Sequence, residues 1–351
     1  MRHVPLVHAT RGHDGVESVE CIHYGSVAVV DLSGRLVAHA GDPAFSTFSR
    51  STIKPFQALP FMAGGGAAHY GFGARELALL CSSHSGEPMH VDGVGAILRA
   101  CGCDAGSLQC GCHVPMRFAA LGERPAPGQA FGPLENNCSG KHAGFLAHCA
   151  QHGLPIETYL EPDHPLQAAI RAALAQACAV GADRMRLGID GCSAPNYALP
   201  LSALALGYAR LAAGADAAAG ALPGAERPHA ESLGRLRDAM TAHPELVSGT
   251  GRNDLALMRA APGDWIAKVG ADGVQLIGVR SAGLGVAVKV SDGNARAACI
   301  AAIGALRQLG LIDQAGVESG PLAPWAAAEI RNARGRVTGH VRAVLELRGA
   351  A

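Results

Sequence analysis

Apolar and polar positions change period along this chain of 351 residues, and the change divides it into segments. Near the start the apolar residues fall in short runs. Ser26-Val27-Ala28-Val29-Val30-Asp31 and Arg35-Leu36-Val37-Ala38 flank the turn Leu32-Ser33-Gly34, which predicts a β-hairpin within 18–40. After Gly41-Asp42-Pro43 a helix opens around Ser51 and runs through Gln57-Ala58-Leu59-Pro60. Helical periodicity then recurs at 75–81, 89–100, 141–151, 166–179, 200–212, 231–242 and 294–308. Met185-Arg186-Leu187 is strand-like, and strand-length runs return at 264–269, 274–280, 285–290 and 339–345. Strands at both ends with helices between them predict an α+β fold. In it, 1–50 and 245–351 form a sheet-containing domain and 51–244 a mostly helical one. The Gly/Ala-rich stretch 213–224 reads as a surface loop.

Composition narrows the function. With 49% apolar and 17% charged residues, the chain can bury a large core as one large domain or two. Lys+Arg and Asp+Glu both number 29, so the chain lacks the basic footprint of a nucleic-acid binder or a polybasic membrane anchor. The expected partner is a small molecule. No run approaches the ~18 apolar residues of a membrane span, and Met1-Arg2-His3-Val4-Pro5 opens no apolar leader. A soluble, cytoplasmic protein is therefore expected. Eleven cysteines, an odd number, read as reduced thiols with a few on a metal rather than a disulfide framework.

Five segments carry possible chemistry. In Ser49-Arg50-Ser51-Thr52-Ile53-Lys54-Pro55, Ser51 and Lys54 are i and i+3, close enough on a helix for a lysine to deprotonate a serine. Pro55 fits only a first turn, which places Ser51 near a helix start. The same spacing also describes an N-cap serine followed by a surface lysine. Cys81-Ser82-Ser83-His84-Ser85-Gly86-Glu87 offers hydroxyls after an apolar helix, or simply caps it. Glu135-Asn136-Asn137-Cys138-Ser139-Gly140-Lys141-His142 and Gly188-Ile189-Asp190-Gly191-Cys192 each place a thiol among polar groups. Two such thiols suit zinc, and buried free cysteine is the alternative. Lys268-Val269-Gly270 is similar to the K-[ST]-G strand of Ser-Lys acylating enzymes, with Val269 replacing the hydroxyl residue. Upstream, Gly249-Thr250-Gly251-Arg252-Asn253-Asp254 supplies a carboxylate-binding Arg252 or only a turn. Cys101, Cys103, Cys110, Cys112 and His113 form a further cluster, either a metal knuckle or ordinary loop and core thiols.

Taken together and in order, Arg50-Ser51-Thr52-Ile53-Lys54-Pro55-Phe56-Gln57, Cys81 to Glu87, Asn137-Cys138-Ser139-Gly140-Lys141-His142 and Gly188 to Cys192 resemble the L-asparaginase II family, the rhizobial or class 3 asparaginases. The likeness spans almost the whole chain. It implies a fold similar to serine β-lactamases and glutaminases, a homodimer, and hydrolysis of L-asparagine to L-aspartate and ammonia through an acyl-enzyme. It also implies two Ser-Lys tandems, Ser51 with Lys54 and Ser83 with Lys268. A zinc ion would be bound by Cys138, Lys141 and Cys192, with Asp190 beside it. Arg50, His142 and Arg252 are the candidates for holding the substrate carboxylate. Rival readings are a hydrolase whose zinc activates water directly, a Ser-Lys hydrolase acting on glutamine or another amide, and a zinc-binding scaffold without activity.

Overall fold

A computed structural model of the chain describes residues 2–13, 15–214 and 227–349. The Gly/Ala-rich stretch read as a surface loop lies almost entirely outside the described residues. The first strands are β1 (Val4–His13), β2 (Val16–Asp31), β3 (Leu36–Ala40) and β4 (Ser46–Phe48). The middle of the chain adds β5 (Arg186–Ile189) and β6 (Pro195–Pro200). The last third contributes β7 (Trp265–Gly270), β8 (Val274–Val279), β9 (Leu284–Val290), β10 (Ala327–Arg331), β11 (Val337–Ala343) and β12 (Arg348–Gly349). The fold is mixed α+β.

Strands from both ends of the chain build one antiparallel sheet in the order β10-β11-β1-β2-β9-β8-β7. Strand β2 is long enough to have two sets of neighbours. Its first half pairs with β1, and its second half lies between β9 and β3, with Val27 opposite Ala40 and Val288. That second half, Gly25 to Val30, is buried at every position, as is all of β8. Both faces of this part of the sheet are therefore covered, and an uninterrupted apolar run such as Val27-Ala28-Val29-Val30 is what a doubly covered strand requires.

The covering helices are Leu201–Ala213 and Ala295–Gln308, both packed on β8 and β9. The first approaches so closely that a Cβ on Gly285 would lie 1.8 Å from the Ala205 carbonyl, and one on Gly278 2.4 Å from that of Tyr208. Glycine at both positions sets the depth of the packing. A second, small sheet, β4-β6-β5, the helices between residues 54 and 177, and further helices at 227–260 and 314–326 make up most of the rest of the described residues. Helix Leu201–Ala213, from the segment read as a helical domain, packs on the large sheet, and one apolar core is continuous through both parts.

Candidate active site

Ser51 lies in a short 3-10 turn, Arg50–Ile53, and an α-helix restarts at Lys54 with Pro55 in its first turn. The two residues straddle a junction instead of sitting one turn apart on a single helix. This changes the expected pairing. Lys54, 1% exposed, turns inward and donates to the Ser83 hydroxyl at 2.9 Å, the Ser82 carbonyl at 2.5 Å and the Asn137 carbonyl at 3.3 Å. Among the described residues no hydrogen bond joins Ser51 Oγ to Lys54 Nζ; only their backbones meet, Lys54 N–H on the Ser51 carbonyl. Lys54 therefore faces Ser83, which was expected to pair with Lys268.

The turn is built under strain. Arg50 adopts φ +52°, a left-handed conformation rare outside glycine, and is held there by its neighbours. Asn196 on β6 accepts from the Arg50 N–H at 3.1 Å and from the Ser49 hydroxyl at 3.0 Å. The Arg50 side chain bonds Asp190 at 2.7 Å and Asp272. Its charge is thus already balanced by two carboxylates.

Ser83 follows helix Ala74–Leu80, its N–H fixed by the Val247 carbonyl at 2.8 Å. Lys268 enters from β7, fully buried, where desolvation pulls its ammonium from 10.5 to about 7. Asp254, at 3.6 Å, opposes that fall, whereas Lys54 and Arg252 add to it. Lys268 Nζ donates to the Val269 carbonyl at 2.8 Å and makes no hydrogen bond to Ser83 among the described residues.

Cys138 caps helix Ser139–His152, and Asn136 binds its N–H at 2.8 Å. Gly140 is what lets this helix start against the preceding one, because a Cβ there would lie 2.2 Å from the Leu79 carbonyl. Cys192 stands on the hairpin turn between β5 and β6, which Ser193 closes at φ +67°. Lys141 Nζ reaches Cys192 Sγ at 2.9 Å. Hydrogen bonding with the Cys192 thiol, reinforced by the Lys54 and Lys141 ammoniums, holds the Cys138 thiol well below its ordinary value. The same contact pushes Cys192 up, so the two sulfurs share one thiolate. Lys141 is pushed up: burial disfavours its charge, but Cys192, Cys138 and Asp190 together outweigh that penalty. Burial raises the Asp190 carboxyl, yet Lys141 and Arg50 bring it below the usual carboxylate range.

His142 follows Lys141 and is fully buried. Tyr159 OH, which accepts from Gln109 N–H at 2.9 Å, shares a hydrogen bond with His142 Nδ1 at 2.8 Å, and His142 Nε2 has no partner among the described residues. Half-buried Arg252 touches Ser85 Oγ at 3.4 Å and Met116 Sδ at 3.3 Å, and pairs with no carboxylate among the described residues. The cysteines at 101–112 do not come together as a knuckle. Cys101 and Cys103 end helix Pro88–Ala100, Cys110 lies toward Cys138, and Cys112 is exposed. Among the described residues no group of three or more His, Cys, Asp and Glu side chains is arranged to hold a metal. The Cys138, Lys141 and Cys192 set includes a lysine.

Sequence reasoning did not assign their present roles to three residues of this arrangement. His113 holds Asn137 at 3.1 Å, and so the carbonyl that receives Lys54. Asn196 is a polar residue between apolar neighbours, the one signal that marked it, whereas Asp254 ends a polar run that began at Thr250.

One buried lysine, Lys54, meets a serine hydroxyl, and a second, Lys268, lies buried in the same interior. The whole-chain comparison supplies the class. Residues 7–343 match the family model of L-asparaginase II, and the chain belongs to that family. It is an asparaginase-type amidohydrolase acting on a small molecule. Among curated proteins no match was found. Among the described residues, no helix is long and apolar enough to cross a membrane.

Proposed function

We propose that the protein hydrolyses L-asparagine to L-aspartate and ammonia through an acyl-enzyme on Ser51. The observation that supports Ser-Lys chemistry here is Lys54, buried and 2.9 Å from Ser83 Oγ, with Lys268 lowered to about 7 in the same interior; the choice of Ser51 as nucleophile follows the family resemblance. A lysine near neutrality can exchange protons at working pH. Ser51 attacks the side-chain amide carbon and its proton passes to the Ser83–Lys54 pair. Lys268 and Ser83 protonate the departing ammonia, and water then releases aspartate. Arg252, a half-buried cation without a carboxylate, suits the substrate's α-carboxylate better than Arg50, which Asp190 and Asp272 already neutralise. His142 Nε2 offers a spare buried hydrogen-bonding atom, and Asp190 a carboxylate for the α-amine.

Zinc fits the donor set of Cys138, Lys141 and Cys192: two sulfurs sharing a thiolate and an amine 2.9 Å from one of them. The Lys141 amine must give up its proton to serve as a ligand. Bound there, zinc supplies a Lewis acid that orients the substrate and ties residues 138–142 to the β5–β6 turn. We also propose a homodimer, for which exposed Val16, Val19, Ile22 and Tyr24 on β2 provide apolar surface.

A second reading makes Ser83 the nucleophile, because Lys54 touches that hydroxyl. Ammonia release from L-asparagine tests the primary one. S51A is expected to lose turnover while keeping its zinc; retained turnover overturns the scheme. Total loss on zinc removal, restored by metal, would instead support a zinc-activated water.

A further inference from the structure

Beneath Lys268 lies the carboxylate that closes the segment Gly249 to Asp254. Asp254, on helix Asn253–Ala260, is 0% exposed and held at both oxygens. Oδ2 accepts from Val269 N–H at 2.8 Å and faces Lys268 Nζ at 3.6 Å. Oδ1 accepts from Gln275 Nε2 at 3.1 Å, and Gln275 is held in turn by Asn253 Nδ2 at 2.7 Å. We propose that Asp254 is a positioning residue of the hydrolytic reaction: it fixes the Lys268 ammonium from below and sets the pH at which that lysine exchanges its proton.

Burying two charges for the sake of stability is a poor bargain, since desolvation offsets much of their attraction. A pair retained at 0% exposure on both sides and adjoining a hydrolytic site has a better explanation in proton transfer. The groups facing Lys268 make the same point. Lys54 and Arg252 disfavour its proton, Cys138 favours it, Cys81 is a neutral thiol pushed up to about 12, and Asp254 is the strongest favourable partner. Without Asp254, Lys268 would stand among cations and stay neutral through the whole working range. The carboxylate also aims the lysine, because Val269 N–H and Gln275 leave it no freedom to follow a moving ammonium.

This inference rests on the reading of Lys268 as a proton-exchanging group, and the experiment separates the two. The pH dependence of kcat/KM for ammonia release from L-asparagine is measured for the wild type, D254N, D254E and K268M. D254N is expected to move the limb near pH 7 to lower pH by about one unit or more, with kcat falling more than KM rises. D254E, which keeps the charge, is expected to return the limb toward its place at reduced kcat. An unmoved limb in D254N, even with a lower rate, assigns Asp254 a merely structural role and overturns the proposal. If D254N does not fold, D254N/K268M is expected to fold again, because Lys268 in D254N must shed its proton to be buried, a cost the methionine does not carry. A double variant as unstable as D254N contradicts the charge coupling. K268M with full activity and an unchanged limb would overturn the reading of Lys268 itself. An inactive K268M beside an unaltered D254N would overturn only the role of Asp254.

Discussion

Lys268 makes a quantitative demand on stability. Its ammonium falls from 10.5 to about 7 on folding because burial strips it of water. In the unfolded chain a lysine titrates near about 10.4. The folded state therefore penalises the charged form. The penalty is fully present below pH 7 and is relieved as pH rises from 7 toward the unfolded value. At about 1.36 kcal/mol per unit, the 3.5 units between 10.5 and 7 amount to about 5 kcal/mol over the full range. Buried thiols blur the upper part of that range. Cys81, Cys178 and Cys299 are pushed up to about 12 by burial, so each costs stability once pH exceeds its unfolded value of about 8.5. The informative window is therefore pH 7 to 8.5, where the lysine contributes a gain of about 1.5 kcal/mol and Cys138, held below its ordinary value, adds in the same direction. Urea unfolding across that window, compared with the K268M/D254N double variant that lacks both charges, cancels the thiols. The wild type should gain about 1.5 kcal/mol on the double variant between those pH values, at constant m. A flat or falling difference would refute a neutralised Lys268.

Three further consequences follow from single contacts. G140A places a methyl group 2.2 Å from the Leu79 carbonyl and should cost about 1–3 kcal/mol, seen as a lower Tm; a wild-type Tm would contradict the packing argument. C138S and C192S should each abolish zinc retention after dialysis, read by elemental analysis. Undiminished zinc in either variant would remove that cysteine from the donor set. R252Q should raise KM for L-asparagine by about 10–100-fold, the loss of one charge-assisted contact of about 1.5–3 kcal/mol. An unchanged KM would direct the carboxylate elsewhere.

Most elements were legible because their apolar period was clean. The hairpin in 18–40 is the β2–β3 pair, and the helix expected at 89–100 is Pro88–Ala100. Strands expected at 274–280 and 285–290 are β8 and β9. Elements escaped where another signal masked the period. Proline opens and closes β6, which argues against a strand taken in isolation, although here it pairs with both β4 and β5. Strand β1 is interrupted by Pro5, His8 and Thr10, which sit well only because β2 and β11 flank it. Helix Asn253–Ala260 opens on the polar Asn253-Asp254, whose partners Gln275 and Lys268 are distant in sequence. The site divides in the same way. Cys138, Lys141 and Cys192 are brought together as the motifs suggested. Spacing alone paired Ser51 with Lys54, but a 3-10 turn ends between them and sends the lysine to Ser83.

Trapping the covalent intermediate tests the central claim most directly. Enzyme quenched in acid during turnover of L-asparagine is digested, and its peptides are weighed. The account predicts one aspartyl group on the peptide containing Ser51, absent from S51A. An aspartyl group on Ser83 instead, or none on either serine while turnover proceeds, would contradict it.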